Sequence, residues 1–211
     1  MIQSRHFLDP VKSWGEQTLS SKQWEQLEAF HQILLDGSQR MSLISKTDIP
    51  NMWGRHFADA MTAGALLDLS KSGRWLDVGC GAGLPLVPLA ILLPEWDVVG
   101  MDTRTLRIDF LLEACSQLEL SNLQLVRGNA RVLGKQPEHR ASFDWVSTRA
   151  VGKIPEDAAM ALPFLKDGGS FLTFKGSEHV ERIDGYHAPT YTPYRLPTVD
   201  NDLHLVRAIK L

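Results

Sequence analysis

The chain has 211 residues, 44% of them hydrophobic, and a formal net charge of -3 at pH 7. That length suits one α/β domain with an extension. The acidic balance argues against a generally basic coat for nucleic acid but leaves local patches open. Residues 1–6 lead into no apolar stretch, so no secretory signal is expected and the chain is expected in the cytoplasm. Trp24, Leu27, Phe30, Ile33 and Leu34 recur at helical spacing between Ser20 and Leu35, with Ser20 or Ser21 as cap and Gly37 as a stop. After the breaker Pro50, Trp53, Phe57, Ala60, Met61, Gly64, Ala65 and Leu67 predict a second helix from Asn51 to Leu69. Residues 1–70 are thus expected to form a helical extension, and 71–211 the core. Strand-like and helical runs then alternate: Arg74 to Val78, a helix from about Leu86, Asp97 to Met101, a helix from Thr105 to Leu118, and Leu123 to Val126. Phe143 to Ser147, a helix from Pro155 to Leu165, Ser170 to Phe174 and a tail from about Thr190 that supplies two more strands complete the series. Such alternation predicts an α/β fold, a mostly parallel doubly wound sheet with helices on both faces and ligands at the carboxyl ends of the strands. The most apolar run, Leu84 to Leu93, is broken by Pro85 and Pro88 and falls short of the ~20 residues that span a bilayer, so it reads as a buried helix. Cys80 and Cys115 suit packing in a reducing compartment better than a disulfide framework.

The glycine-rich stretch Asp77-Val78-Gly79-Cys80-Gly81-Ala82-Gly83-Leu84-Pro85 directly after the first strand is the chain's most specific local signal. Glycines there admit positive φ and a close approach of backbone to ligand. A dinucleotide fingerprint fails, because glycine is needed where Leu84 or Leu86 stands, and no Gly-Lys-Ser/Thr follows to make a phosphate loop. What remains, Asp-x-Gly-x-Gly-x-Gly, resembles the first motif of the S-adenosylmethionine (SAM)-dependent methyltransferases. Asp102, at the end of the second strand, suits the two ribose hydroxyls of an adenosyl group. It could instead cap the helix that follows. Asp77 either braces the loop or serves the cofactor.

Four motifs occur in order: Arg55-His56-Phe57-Ala58-Asp59, the glycine loop itself, Ser147-Thr148-Arg149-Ala150 after the fourth strand, and Lys175-Gly176 after the fifth, with Leu203-His204-Leu205-Val206 near the end. Together they resemble the small-subunit ribosomal RNA guanine-N7 methyltransferase G family, also called glucose-inhibited division protein B, from about Trp24 onward. The resemblance implies SAM as cofactor, contacted by Gly79 and Leu84, with Val132 and Leu133 flanking the adenine and Arg149 near the fourth strand; the glycine motif and the second strand end add Asp77, Gly81, Gly83 and Asp102 as cofactor-binding candidates. Leu133 stands where the family has a glutamate, so backbone contacts alone are expected there. Ser42-Leu43 stands where the family usually has Asn-Leu. The implied partner is 16S ribosomal RNA or the small ribosomal particle, engaged by a monomer without membrane contact.

Guanine N7 carries a free lone pair at neutral pH, so methylating it needs positioning and no general base. Ser147-Thr148-Arg149 stands where methyltransferases of exocyclic amines place an Asn/Asp-Pro-Pro-aromatic motif, and neither cysteine suits a carbon-5 nucleophile. The catalytic residues expected are Arg149, which orients cofactor or nucleotide, with Arg131 and Lys175 on RNA phosphates. Each has a plainer reading: Lys175 as a surface lysine, Arg131 as an ion-pair partner, and the run Arg127, Arg131, Lys135, Arg140, Arg149, Lys153 as a solvated face. His56 and Asp59, three apart on a helical face, read as pins between extension and core, or as a catalytic pair. Trp53, Trp75 and Trp96 read as core fillers, and the histidine spacing suits no metal. Two rival functions stay open: a methyltransferase of a small molecule or protein, and a SAM-binding module that has lost catalysis.

Overall fold

The computed structural model describes residues 19–66, 72–149, 151–196 and 198–211. The expected boundary at residue 70, Leu67, Leu69, Ala150 and residues 1–6 lie outside them. Helix α1 (Ser21–Arg40) begins at a capping box in which the Ser20 side chain takes the Gln23 amide and the Gln23 side chain takes the Ser20 amide. It runs through Gly37, the residue expected to stop it. Gly37 is buried, and a Cβ on it would lie 2.5 Å from Leu43 and 2.7 Å from Phe110, so close packing, not helix termination, requires the glycine. The second predicted helix is a composite: a 3-10 turn (Ile49–Asn51), a π-helical turn (Trp53–Phe57), α2 (Ala58–Thr62) and a further 3-10 turn (Ala63–Leu66). The π turn widens the backbone where Arg55 and His56 meet the cleft described below.

The core alternates as the sequence predicts, with one short helix that it does not: β1 (Arg74–Val78), α3 (Leu86–Leu92), β2 (Asp97–Asp102), α4 (Thr105–Gln117), β3 (Leu123–Arg127), the added helix α5 (Ala130–Leu133), β4 (Phe143–Arg149), α6 (Ile154–Ala161), β5 (Leu165–Lys175), β6 (Thr190–Leu196) and β7 (Val199–Ile209). Helix α6 ends earlier than the apolar pattern suggests because Pro163 cannot continue it. The seven-stranded sheet has the order β3-β2-β1-β4-β5-β7-β6, with β1 to β5 parallel and β7 antiparallel to both of its neighbours, β5 and β6. β1 lies inside the sheet between β2 and β4, and the chain moves outward first through β2 and β3 and then through β4 and β5, so the strand order reverses at the carboxyl end of β1. Alternate residues feed two cores. Trp75, with Leu172, Phe174 and Leu205, faces α1, α3 and α4, whereas Leu76, Val78, Val146 and Phe171 face α5 and α6. Leu27, Phe30 and Leu34 of α1 share one cluster with Leu86, Leu89 and Leu111, so the helical extension and the sheet domain are packed through common apolar contacts. Trp75 stacks on Trp145 at 5.4 Å, Trp96 is buried beside it, and Trp53 packs on Phe57 and His31. Among the described residues no helix is long and apolar enough to cross a membrane.

Candidate active site

A cleft of about 870 Å³ opens at the carboxyl ends of β1, β2 and β4, a volume within the range of small-molecule and cofactor sites. Its floor is the turn after β1. Gly79, Gly81 and Gly83 have φ of 75°, 54° and 88°, and the Leu84-Pro85 peptide is cis. The amides of Gly79 and Cys80 both bond to Met101 O, at 2.7 and 3.1 Å, tying the turn to β2. The three glycines differ in purpose. A Cβ on Gly81 would make only ordinary van der Waals contact, with Gly79 O at 3.6 Å and the Arg104 side chain at 3.7 Å, so what demands glycine there is the positive φ and not crowding. A Cβ on Gly83 would strike Leu111 at 2.6 Å, Val87 at 2.9 Å and Phe30 at 3.1 Å, and Gly83 does not line the cleft. Leu84 does line it and is nearly buried.

Asp77 lies beneath this turn, not in it. It is 1% exposed. Trp75 Nε1 donates to Ser147 Oγ at 2.8 Å, and Ser147 Oγ donates to Asp77 Oδ1 at 2.6 Å. Burial pushes the Asp77 carboxyl up from an ordinary 3.8 to about 7, against the opposing pull of the Ser147 hydrogen bond and the Arg149 charge. Cys80, in the same turn, has its thiol pushed far up by burial, and burial raises Cys115 to about 11, so both are packing residues rather than nucleophiles.

Asp102 lines the wall. It gives α4 no side-chain cap; its Oδ2 takes the Gly81 amide at 3.0 Å, and Oδ1 takes the Arg104 amide at 2.9 Å and Nε at 3.2 Å. Burial raises its pKa, but the hydrogen bonds from Arg104 and Gly81 outweigh it and hold the carboxyl below the usual range. The Arg104 side chain, which also reaches Asp102 Oδ2 through Nη2 at 3.2 Å, is 60% exposed, so a ligand hydroxyl can displace it from Asp102 into solvent. Opposite stands the Gly128–Arg131 segment, where the Asn129 side chain caps α5 by accepting the Arg131 amide at 2.9 Å. Val132 and Leu133 do not line the cleft. Val132 is 59% exposed, Leu133 packs over Gly128, and both amides already donate to Asn129 O at 2.9 Å.

Five arginines line the cleft, Arg55, Arg104, Arg107, Arg131 and Arg149, against three acids, Asp102, Glu156 and Asp157. Of the basic run between residues 127 and 153, only Arg131 and Arg149 are among them. Arg131 is exposed at the rim. Arg107 donates to Ser42 O through Nη2, while its Nη1 is buried without a hydrogen-bond partner among the described residues. Arg149 is held by the extension: its Nε is 2.7 Å from Asp59 Oδ2, and its Nη2 is 2.9 Å from His56 Nδ1. Lys175 is absent from the lining. It donates to Gly152 O and lies 3.4 Å from Asp157 and 3.5 Å from Glu178, with its side chain 11% exposed. Asp157 Oδ2 also takes the Thr148 hydroxyl at 3.3 Å and the Gly152 amide at 3.2 Å, so this buried cluster fixes the loop after β4. Ile44, Arg104, Arg107 and Met160 also line the cleft without having been singled out in the sequence; of these Arg104, two residues after Asp102, carried a positional hint.

A glycine turn over a central strand, an acid at the end of the next strand and an arginine after the fourth now stand around one cleft. A family model described as GidB, rRNA small subunit methyltransferase G, matches residues 23–192. The chain belongs to the rRNA small subunit methyltransferase G family. A ribosomal RNA small subunit methyltransferase G from Leuconostoc mesenteroides is 34% identical over 185 residues, covering 86% of this chain and 77% of its own. One from Staphylococcus saprophyticus is 36% identical over 166 residues, covering 79% of this chain and 69% of its own. Among solved structures, a SAM dependent methyltransferase from Aquifex aeolicus superposes with a TM-score of 0.58 at 15% identity, covering 79% of this chain and 96% of that one. TrmN from Thermus thermophilus gives 0.54 at 21% identity, covering 72% of this chain and 49% of that one. These two share the fold alone. The methyltransferase G family match spans the extension from residue 23 and strands β1 to β5, the two parts that meet at Arg149.

Proposed function

We propose that the chain transfers the methyl group of SAM to N7 of a guanine in 16S ribosomal RNA. The observation that carries the reading is the Gly81 turn bonded through its amide to Asp102 at the cleft wall, in a chain that belongs to the methyltransferase G family. These residues fit the cofactor. Gly79 and Gly81 allow a ligand to approach the backbone, Asp102 offers carboxylate oxygens to the ribose once Arg104 turns aside, and Leu84 supplies an apolar wall. The adenine would lie beside Gly128, Asn129 and Ala130 rather than against the Val132 and Leu133 side chains. Bound there, SAM supplies an electrophilic methyl on a cationic sulfur. The protein's own task is placement: Arg149 presents N–H groups into the cleft, and Arg131 at the rim is placed to meet an RNA phosphate. Lys175 acts through the loop it braces, since its ammonium is committed to Asp157 and Glu178. Asp77, anionic above about pH 7, sits where it favours a cationic ligand over a neutral one.

The test is direct. Incubation with radiolabelled SAM and small-subunit particles lacking the modification, followed by mapping of the label, is expected to place it on one guanine of 16S RNA. Label on protein, on a small molecule or on no product overturns the proposal.

A further inference from the structure

We infer that Asp59 and His56 are positioning residues for Arg149, so that the helical extension aims the guanidinium that the sheet domain contributes to the cofactor cleft. Arginine carries five N–H donors in one plane. Asp59 Oδ2 takes Nε at 2.7 Å and His56 Nδ1 takes one hydrogen of Nη2 at 2.9 Å. Two fixed nitrogens fix the plane, and the three remaining N–H groups share the rim of the guanidinium that lines the cleft. A carboxylate such as the one on the methionyl end of the cofactor matches that fork.

Both holders are themselves held. The Tyr194 hydroxyl of β6 donates to Asp59 Oδ1 at 2.5 Å, so each Asp59 oxygen has a separate partner and the carboxylate cannot rotate freely. The Asp59 side chain is 8% exposed and that of Arg149 19%, which shields the pair from water. His56 can accept from Arg149 only as the neutral tautomer with its proton on Nε2. That nitrogen is buried, has no hydrogen-bond partner among the described residues, and lies 3.5 Å from Asp48 Oδ2, which draws the proton to that side. Asp48 in turn holds Arg55 at 3.1 Å. The chain of contacts thus runs from the segment before α2, through β4, to the hairpin of β6 and β7.

The groups facing His56 are Arg149 from β4, Asp48 from the preceding turn, and Arg55 and Asp59 from its own helical segment. Burial first, and then the Arg149 charge, lower its pKa, so the imidazole is neutral and accepting at pH 7. Protonation turns Nδ1 into a donor and releases Nη2.

The inference rests on Arg149 as a cofactor contact. It is tested by calorimetric SAM binding to the full chain, in single variants and in combination with Arg149→Gln. Arg149→Gln and Asp59→Asn are expected to weaken SAM binding about tenfold or more, and His56→Gln about threefold. Asp59→Asn and His56→Gln should add nothing in the Arg149→Gln background. In the Asp77→Asn background, which removes the titration near pH 7, SAM affinity should still fall toward acid pH as His56 protonates, and adding His56→Gln should abolish that fall. Tyr194→Phe, which leaves the buried charges paired, should weaken binding by a smaller factor that also disappears with Arg149→Gln, and it keeps the test open if Asp59→Asn misfolds. Equal losses in both backgrounds, or an acid fall that persists when His56→Gln is added to Asp77→Asn, would overturn the positioning role. Unchanged binding in Arg149→Gln alone would remove the cofactor contact itself, leaving RNA methylation to the labelling experiment.

Discussion

Replacing Asp77 with asparagine should stabilise the protein, and increasingly so as pH rises. The carboxyl is 1% exposed, and its pKa stands at about 7 against an ordinary 3.8. The folded state therefore binds the proton more tightly than the unfolded chain. Stability falls as pH rises from about 4 to 7, and the full penalty above pH 7 is roughly 4 kcal/mol. Asparagine keeps an oxygen for the Ser147 hydroxyl, carries no charge and removes that dependence. Between about pH 5.5 and about pH 8 the gain of Asp77→Asn over wild type should grow by about 2 kcal/mol, read from urea unfolding at each pH. A gain that is equal at both values refutes the assignment of a high pKa to this carboxyl. A buried carboxylate so unfavourable for folding belongs where it helps a cation bind. Accordingly Asp77→Asn should lower affinity for SAM more than for the neutral thioether product, and wild-type SAM affinity should rise through pH 7.

Three further outcomes follow from the geometry. Gly83→Ala should destabilise more than Gly81→Ala in chemical denaturation, because both strain a positive φ but only Gly83 would drive a Cβ into Leu111 and Val87. Lys175→Ala should cost about 3–5 kcal/mol by leaving Asp157 buried and unpaired, yet leave the salt slope of RNA binding unchanged. Arg131→Ala should do the reverse, leaving unfolding within about 0.5 kcal/mol of wild type while reducing the salt slope by about one. Identical salt slopes for the Arg131 variant and wild type would sink its phosphate role.

The strand and helix order was legible because hydrophobic period and glycine spacing are local properties, and the glycine turn and Asp102 are read from a few consecutive residues. What escaped depends on neighbours distant in sequence. Gly37 reads as a stop until Phe110 and Leu43 are seen against it. Lys175 reads as an exposed phosphate ligand, yet Asp157 of α6 takes its charge. Val132 and Leu133 sit in the right segment, but the turn of α5 directs one to solvent and the other over Gly128. His56 and Asp59 were visible as a pair with two readings, and the contact that unites them, Arg149, lies about 90 residues away, a distance that helical spacing cannot bridge.

Phe30 of α1 touches the space beside Gly83, so the extension supports the glycine turn from behind. In hydrogen-exchange terms the amides of that turn cannot open without disturbing the cluster that holds α1, α3 and α4. Slow exchange in the turn should therefore track slow exchange in α1, and losing the first helix would loosen the cofactor floor even though none of its residues reaches the cleft.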